Sequence, residues 1–173
     1  PGALRGRASL RGLSSAGSSE PVTYVNAPQI AEERGVSIEV DTHTEALTHR
    51  SVVTVRAVTA DGDVTSISGA LTGLEKVEKI IGINGRNFDM RAEGHNVVLS
   101  YQDRPGALGL FATALGNADV DIISCALSPD AKGTGATALL RLNRALTEDE
   151  METVSSAVGQ LVLPRWISRE CHD

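Results

Sequence analysis

Between Val97 and Ser168 the apolar residues switch between a period of two and a period of 3.6 in one fixed order, and that order leaves few folds open. Val97 to Tyr101 reads as a strand. From Ala107 the positions Leu108, Phe111, Ala112 and Leu115 mark one face of a helix. Val120 to Leu127, rich in β-branched and aliphatic residues, predicts a second strand. Ser128 to Gly135 reads as a loop, and Thr137 to Asn143 as a third strand with Ala138, Leu140 and Leu142 on one face. Thr147 and Glu150 have the spacing of a capping box and open a helix whose stripe is Met151, Val154, Val158 and Leu161. Arg165 to Ser168 then supplies a last strand. The order is βαββαβ.

The first junction in this pattern has the outline of a pocket. A helix start leaves its first backbone N–H groups without intrahelical partners and at the positive end of the helix dipole, so it can hold a carboxylate or phosphate. Pro105 suits the first turn, where its missing N–H costs nothing. Gly106 carries no side chain to keep a ligand from the backbone, and Asp103 at the strand's exit can accept from an ammonium group. A carboxylate binder beside an ammonium binder suits a free amino acid. Asp-Arg-Pro-Gly is also an ordinary turn sequence, and spacing alone leaves both readings open.

Upstream, Asn26 and Gln29 predict the start of a short helix ending at Gly35, followed by a strand with Val36, Ile38 and Val40 alternating. Ser51 to Thr59 and Val64 to Ala70 predict two more strands around Asp61-Gly62. Lys79 to Ile83 and Phe88 to Arg91 predict a hairpin around Asn84-Gly85. That hairpin puts Lys79 and Arg91 near its open end and Arg86 at its tip. Like charges so close cost energy unless something negative lies between them. Arg141 stands on the less apolar face of its strand. On residues alone these four cations read as solvated surface charge. The first 20 residues, rich in Gly, Ser, Ala and Arg, read as a linker or remnant.

Composition closes several classes. Twenty-two acidic residues against 16 basic ones give a net charge of −6, which offers nucleic acid no broad basic field. No apolar run approaches the roughly 20 residues of a membrane helix, and no signal sequence is evident, so a cytoplasmic protein is expected. Cys125 and Cys171 are too few to staple a secreted fold and read as reduced thiols. His43, His49, His95 and His172 lack metal-ligand spacing, so no metal site is expected. Asp119 and Asp121 would share one side of a strand, as a solvated strand start explains. Gly133-Thr-Gly-Ala-Thr-Ala mimics a dinucleotide fingerprint but runs into a strand rather than a helix. No catalytic acid–base set stands out, and no cofactor is expected in this chain.

Tyr101-Gln-Asp-Arg-Pro-Gly-Ala-Leu-Gly with Ala136-Thr-Ala-Leu-Leu-Arg-Leu resembles an ACT domain, a small amino-acid-sensing module. Val22-Thr-Tyr-Val-Asn-Ala-Pro, Glu32, Arg34-Gly35-Val36, Ser68-Gly-Ala-Leu-Thr-Gly and Ile83 to Gly94 resemble the regulatory half of long-form D-3-phosphoglycerate dehydrogenases. In that family an allosteric substrate-binding (ASB) domain precedes a C-terminal ACT domain. The resemblance implies an α+β chain: residues 1–20 a linker, 21–94 a small ASB-like α/β domain, 95–173 a ferredoxin-like ACT domain with an antiparallel sheet of order 3-2-1-4. It further implies L-serine held at a homo-oligomer interface by Tyr101, Asp103, Pro105, Gly106, Ala107 and Leu108, with Asp121 standing where serine-binding members usually have asparagine. Lys79, Arg86, Arg91 and Arg141 would capture a phosphorylated small molecule such as 3-phosphoglycerate. The parent enzyme would use NAD. Two alternatives stay open: the ASB–ACT portion of an iron–sulfur L-serine dehydratase, and a ligand-free dimerisation module.

Overall fold

The computed structural model describes residues 29, 52–58, 62, 64–130, 133–158 and 165–168, the last four through their backbone alone. The expected linker at 1–20, the strand at 36–40, and the helix at 26–35 apart from helical Gln29 lie outside the described residues. The described elements are β1 (Val52–Val58), β2 (Val64–Thr72), β3 (Val77–Ile83), β4 (Arg86–Arg91), β5 (His95–Gln102), α1 (Ala107–Asn117), β6 (Ile122–Pro129), β7 (Gly135–Leu142), α2 (Glu148–Val158) and β8 (Arg165–Ser168). They form an α+β structure of two four-stranded antiparallel sheets, one ordered β1-β2-β3-β4 and the other β6-β7-β5-β8.

Local chemistry builds the first sheet by hairpins. Asn84 and Gly85 both take positive φ, 49° and 76°, the pair of left-handed residues that a two-residue turn needs to match the strand twist. The turn is tied back to β2, because Asn84 N–H donates to the Ser66 carbonyl at 2.9 Å and Asn84 Oδ1 accepts from Ser66 N–H at 2.8 Å. The resulting register sets Ile83 opposite Arg86 and Lys79 opposite Arg91.

The second sheet has the expected βαββαβ order, but not the expected 3-2-1-4 arrangement. Counting within this unit, its strands lie 2-3-1-4. The crossover through α1 spaces β6 away from β5, and β7, folded back from β6 by a short loop, fills the gap and pairs antiparallel with both. Residues of one face, Val97, Leu99, Tyr101, Ala136, Ala138, Leu140 and Leu142, pack under α1 and α2 with Phe111, Leu115, Val154 and Val158. Val98 and Leu139, on the other face, pack against Ile80, Ile83, Phe88 and Met90 of the first sheet. Burial on both faces is why β7 reads as an almost unbroken apolar run.

Two details of the expected pattern shift for physical reasons. The second strand of this unit begins at Ile122 rather than Val120, since Asp119 adopts a left-handed φ of 55° that closes α1 and turns Val120 into the core. On α1 the buried stripe is Ala107, Phe111 and Leu115, and Leu108 falls on the exposed flank. The box that opens α2 forms as the spacing predicts: Glu150 N–H donates to Thr147 Oγ1 at 3.3 Å, and Thr147 N–H donates to Glu150 Oε2 at 2.9 Å. Leu161 lies outside the described residues. No helix among the described residues is long and apolar enough to cross a membrane.

Candidate functional site

Strand β5 delivers its exit to the start of α1 at one end of the second sheet. Gly106 is the residue before the helix, with φ 89° and ψ −11°, and an added Cβ would meet nothing within 4 Å. Its open left-handed backbone is what the glycine supplies. Ala107 N–H donates to the Arg104 carbonyl at 3.1 Å, but no side chain caps the turn. The donors that follow, on Leu108 and Gly109, belong to the first turn at the positive end of the helix, where intrahelical acceptors run out.

Tyr101 and Asp103 flank that start from the strand side. The Tyr101 ring is buried and meets Phe111 edge-on, centroids 5.7 Å apart and planes at 62°. Burial first, and then the charges of Asp103 and Cys125, push the Tyr101 phenol above its ordinary pKa, so it stays a hydroxyl able to donate. Burial likewise pushes the Cys125 thiol up. Asp103 is exposed, and its backbone N–H is anchored to the Thr134 carbonyl at 3.1 Å. Asp103, Pro105, Gly106, Ala107 and Leu108 thus form one short turn beside Tyr101.

Asp121 does not join them within the chain. Ile122 lies level with Leu142 and His95, whereas Gln102 lies level with Gly135, so Asp121 stands at the opposite end of the sheet. There its backbone N–H donates to Asn143 Oδ1 at 3.0 Å, and its carbonyl accepts from Asn143 N–H at 3.1 Å.

The four basic residues separate into a cluster and an outlier. Arg91 donates to Glu93 Oε1 at 3.0 Å, and Arg141, from the facing sheet, donates to Glu93 Oε2 at 3.3 Å. Lys79 is the cross-strand neighbour of Arg91, with its ammonium 2.6 Å from Asp89 Oδ1. Arg86 stands apart: it shares a face with Phe88 and Met90, and its guanidinium donates to buried Thr137 on β7, whose hydroxyl also meets Ser100 at 3.3 Å. Arg91 and Glu93 line a cleft of about 330 Å³ with Lys76, Val77, Glu78, Ala92 and Gly94.

Glu93 and Thr137 were not singled out by sequence reasoning. An acid two residues past Arg91 was the only local signal for the first; the partnership of Arg86 with Thr137, 51 residues away in sequence, left none. Among the described residues no three His, Cys, Asp or Glu side chains gather as a metal would need.

Residues 5–84 match the D-3-phosphoglycerate dehydrogenase intervening domain. The chain is 51% identical over 150 residues to D-3-phosphoglycerate dehydrogenase of Mycobacterium leprae (strain TN), covering 87% of this chain and 28% of that protein. It is 52% identical over 149 residues to the protein of that name from Mycobacterium tuberculosis (strain ATCC 25618 / H37Rv), with 86% and 28% covered. The Bacillus subtilis (strain 168) protein of the same name is 29% identical over 142 residues, 82% of this chain and 26% of that protein.

Proposed function

The chain belongs to the D-3-phosphoglycerate dehydrogenase family, spanning 28% of the length of the relatives it most resembles above, and on that premise we propose that it senses two effectors for such an enzyme. One effector is L-serine. Its carboxylate meets the free N–H groups at the start of α1, its ammonium group meets Asp103, and the Tyr101 hydroxyl donates to it. The observation that carries this reading is the open, uncapped helix start at Gly106 beside exposed Asp103, whose backbone is anchored to Thr134. Backbone donors in a fixed turn bind an anion without ordering any side chain.

The site is completed by a second copy of the chain. Strand β6 is a free edge of the second sheet as described, and edge strands pair readily with another chain. Antiparallel pairing of β6 with its copy brings Asp121 of one chain to the Asp130 end of the other, which is the end that carries Gly106. The second effector is a phosphorylated anion such as 3-phosphoglycerate, taken by Arg91, Arg141 and Lys79, with Arg86 left to join the two sheets. In this reading the parent enzyme works in the cytoplasm and oxidises 3-phosphoglycerate with NAD, for which no residue of this chain is assigned a part.

Titration calorimetry of the chain with L-serine and with inorganic phosphate tests both halves. Arg141→Ala is expected to weaken phosphate binding by roughly 10- to 150-fold, the equivalent of about 1.5 to 3 kcal/mol for a charged contact, and to leave serine binding intact. A chain that takes up no heat from L-serine at millimolar concentration as a dimer has no serine site at this turn.

A further inference from the structure

The cations assigned to the anion site already hold carboxylates of their own. Glu93 reaches Arg91 with one oxygen and Arg141 with the other, at 3.0 and 3.3 Å, and so occupies the position between two arginines contributed by different sheets. Its backbone is held for the purpose. Asn96, buried to 1% exposure at the start of β5, donates from Nδ2 to the Glu93 carbonyl at 3.0 Å and so fixes the three-residue link between the sheets.

The partnership is nevertheless a weak one. Both partners of the Arg91–Glu93 pair are more than half exposed, where ion pairs are screened and contribute little. Arg141 makes a single long contact, and its Nε–H is buried with no hydrogen-bond partner. A guanidinium satisfies a tetrahedral oxyanion through two parallel donors, which Glu93 does not engage. An anion with more charge and more oxygens than a carboxylate therefore has a donor to gain where Glu93 leaves one unused.

We infer that Glu93 is an internal competitor for this site: its carboxylate stands between Arg91 and Arg141 in place of the effector and swings out when a phosphorylated anion enters. The inference rests on the anion-site reading given above. It adds a consequence, because Glu93 lies in residues 92–94 that join β4 to β5, so exchanging it for a free anion releases a contact made by the link between the two sheets. The internal carboxylate sets a threshold: monoanions too weak to displace it are refused, and a dianion is admitted.

Calorimetric titration of inorganic phosphate into the whole chain and its Glu93→Gln variant is the test. Loss of the competing charge is expected to tighten phosphate binding about three- to tenfold, the scale of one or two exposed ion pairs. Glu152→Gln removes the same charge from α2, on the far side of the second sheet, and sets the baseline for a general change in net charge. Equal or weaker phosphate binding by Glu93→Gln, with the parent chain binding, overturns the inference while the anion site stands. No phosphate binding by either protein overturns the anion site and the inference together.

Discussion

The two helices of the second unit begin in opposite ways. At α2 the helix start is closed within the chain: Thr147 and Glu150 cap each other, and Arg144 grips Glu150 with contacts of 2.8 and 2.9 Å while also donating to the Ala118 carbonyl at the end of α1. At α1 no side chain answers the first turn. The same protein thus pays for a cap at one helix and leaves it out at the other, where Tyr101 and Asp103 stand ready. In the function proposed above, that uncapped end is the one L-serine completes. The Arg91–Glu93–Arg141 cluster gives a third case, in which one half-exposed carboxylate answers two arginines.

The largest effect that separates the two helix starts comes from the core beneath α1. Phe111 is fully buried and supports the Tyr101 ring, so Phe111→Ala is expected to cost about 3 to 5 kcal/mol in chemical denaturation and to abolish detectable L-serine binding. Val154→Ala, under α2, should also destabilise but leave serine affinity unchanged in the folded fraction. Equal loss of serine binding in both would break the contrast.

Next in size is the ligand's own contact. Asp103→Ala should weaken L-serine by about 1.5 to 3 kcal/mol, the range for a charge-assisted hydrogen bond, with no change in stability. Thr147→Ala should do the reverse, costing about 0.5 to 2 kcal/mol of stability and nothing in serine affinity. The box at α2 also carries a pH signature. Arg144, and then the Thr147 backbone N–H, hold the Glu150 carboxyl down at about 2 from an ordinary 4.5. A depressed folded value stabilises the protein above the unfolded pKa, and that stabilisation drains away as pH falls from about 4.5 toward 2. Denaturation curves across this window should be steeper in pH for the parent chain than for Glu150→Gln; parallel curves would mean that the pair does not persist in solution.

The smallest effect tests the partner chain. An ionised aspartate can only accept, so in the proposed site Asp121 would repel a serine carboxylate where asparagine would donate to it. Asp121→Asn is expected to strengthen L-serine binding by ~1 kcal/mol, the scale of two charges about 4 Å apart in water. Since Asp121 lies at the far end of its own sheet from Gly106, the gain should appear only at concentrations where the chain dimerises. A gain that survives dilution to monomer rules out contact across the interface.

Much of this was readable from local pattern. The alternation of strands and helices, the Asn84-Gly85 turn, the Thr147–Glu150 box and the Pro105-Gly106 helix start each depend on residues within a turn or two of one another, and among the described residues each formed at or within two residues of its expected place. Two details failed, one through packing and one through the backbone of a neighbouring residue. Leu108 left the buried stripe because the core beneath α1 is set by how the helix rolls on the sheet, and Val120 left its strand because a left-handed Asp119 closes α1 first.

The four basic residues show the same division most plainly. Lys79 and Arg91 are cross-strand neighbours because a two-residue turn counts out their register, a matter of hairpin geometry that residue order settles. That Arg141 shares Glu93 with Arg91, while Arg86 turns instead to Thr137, followed only when the two sheets packed Val98 and Leu139 against Ile80, Ile83, Phe88 and Met90. Period and turn chemistry act over a few residues and are written into the chain directly. Which charge meets which carboxylate depends on the burial of apolar faces tens of residues apart, and such packing has no local spelling.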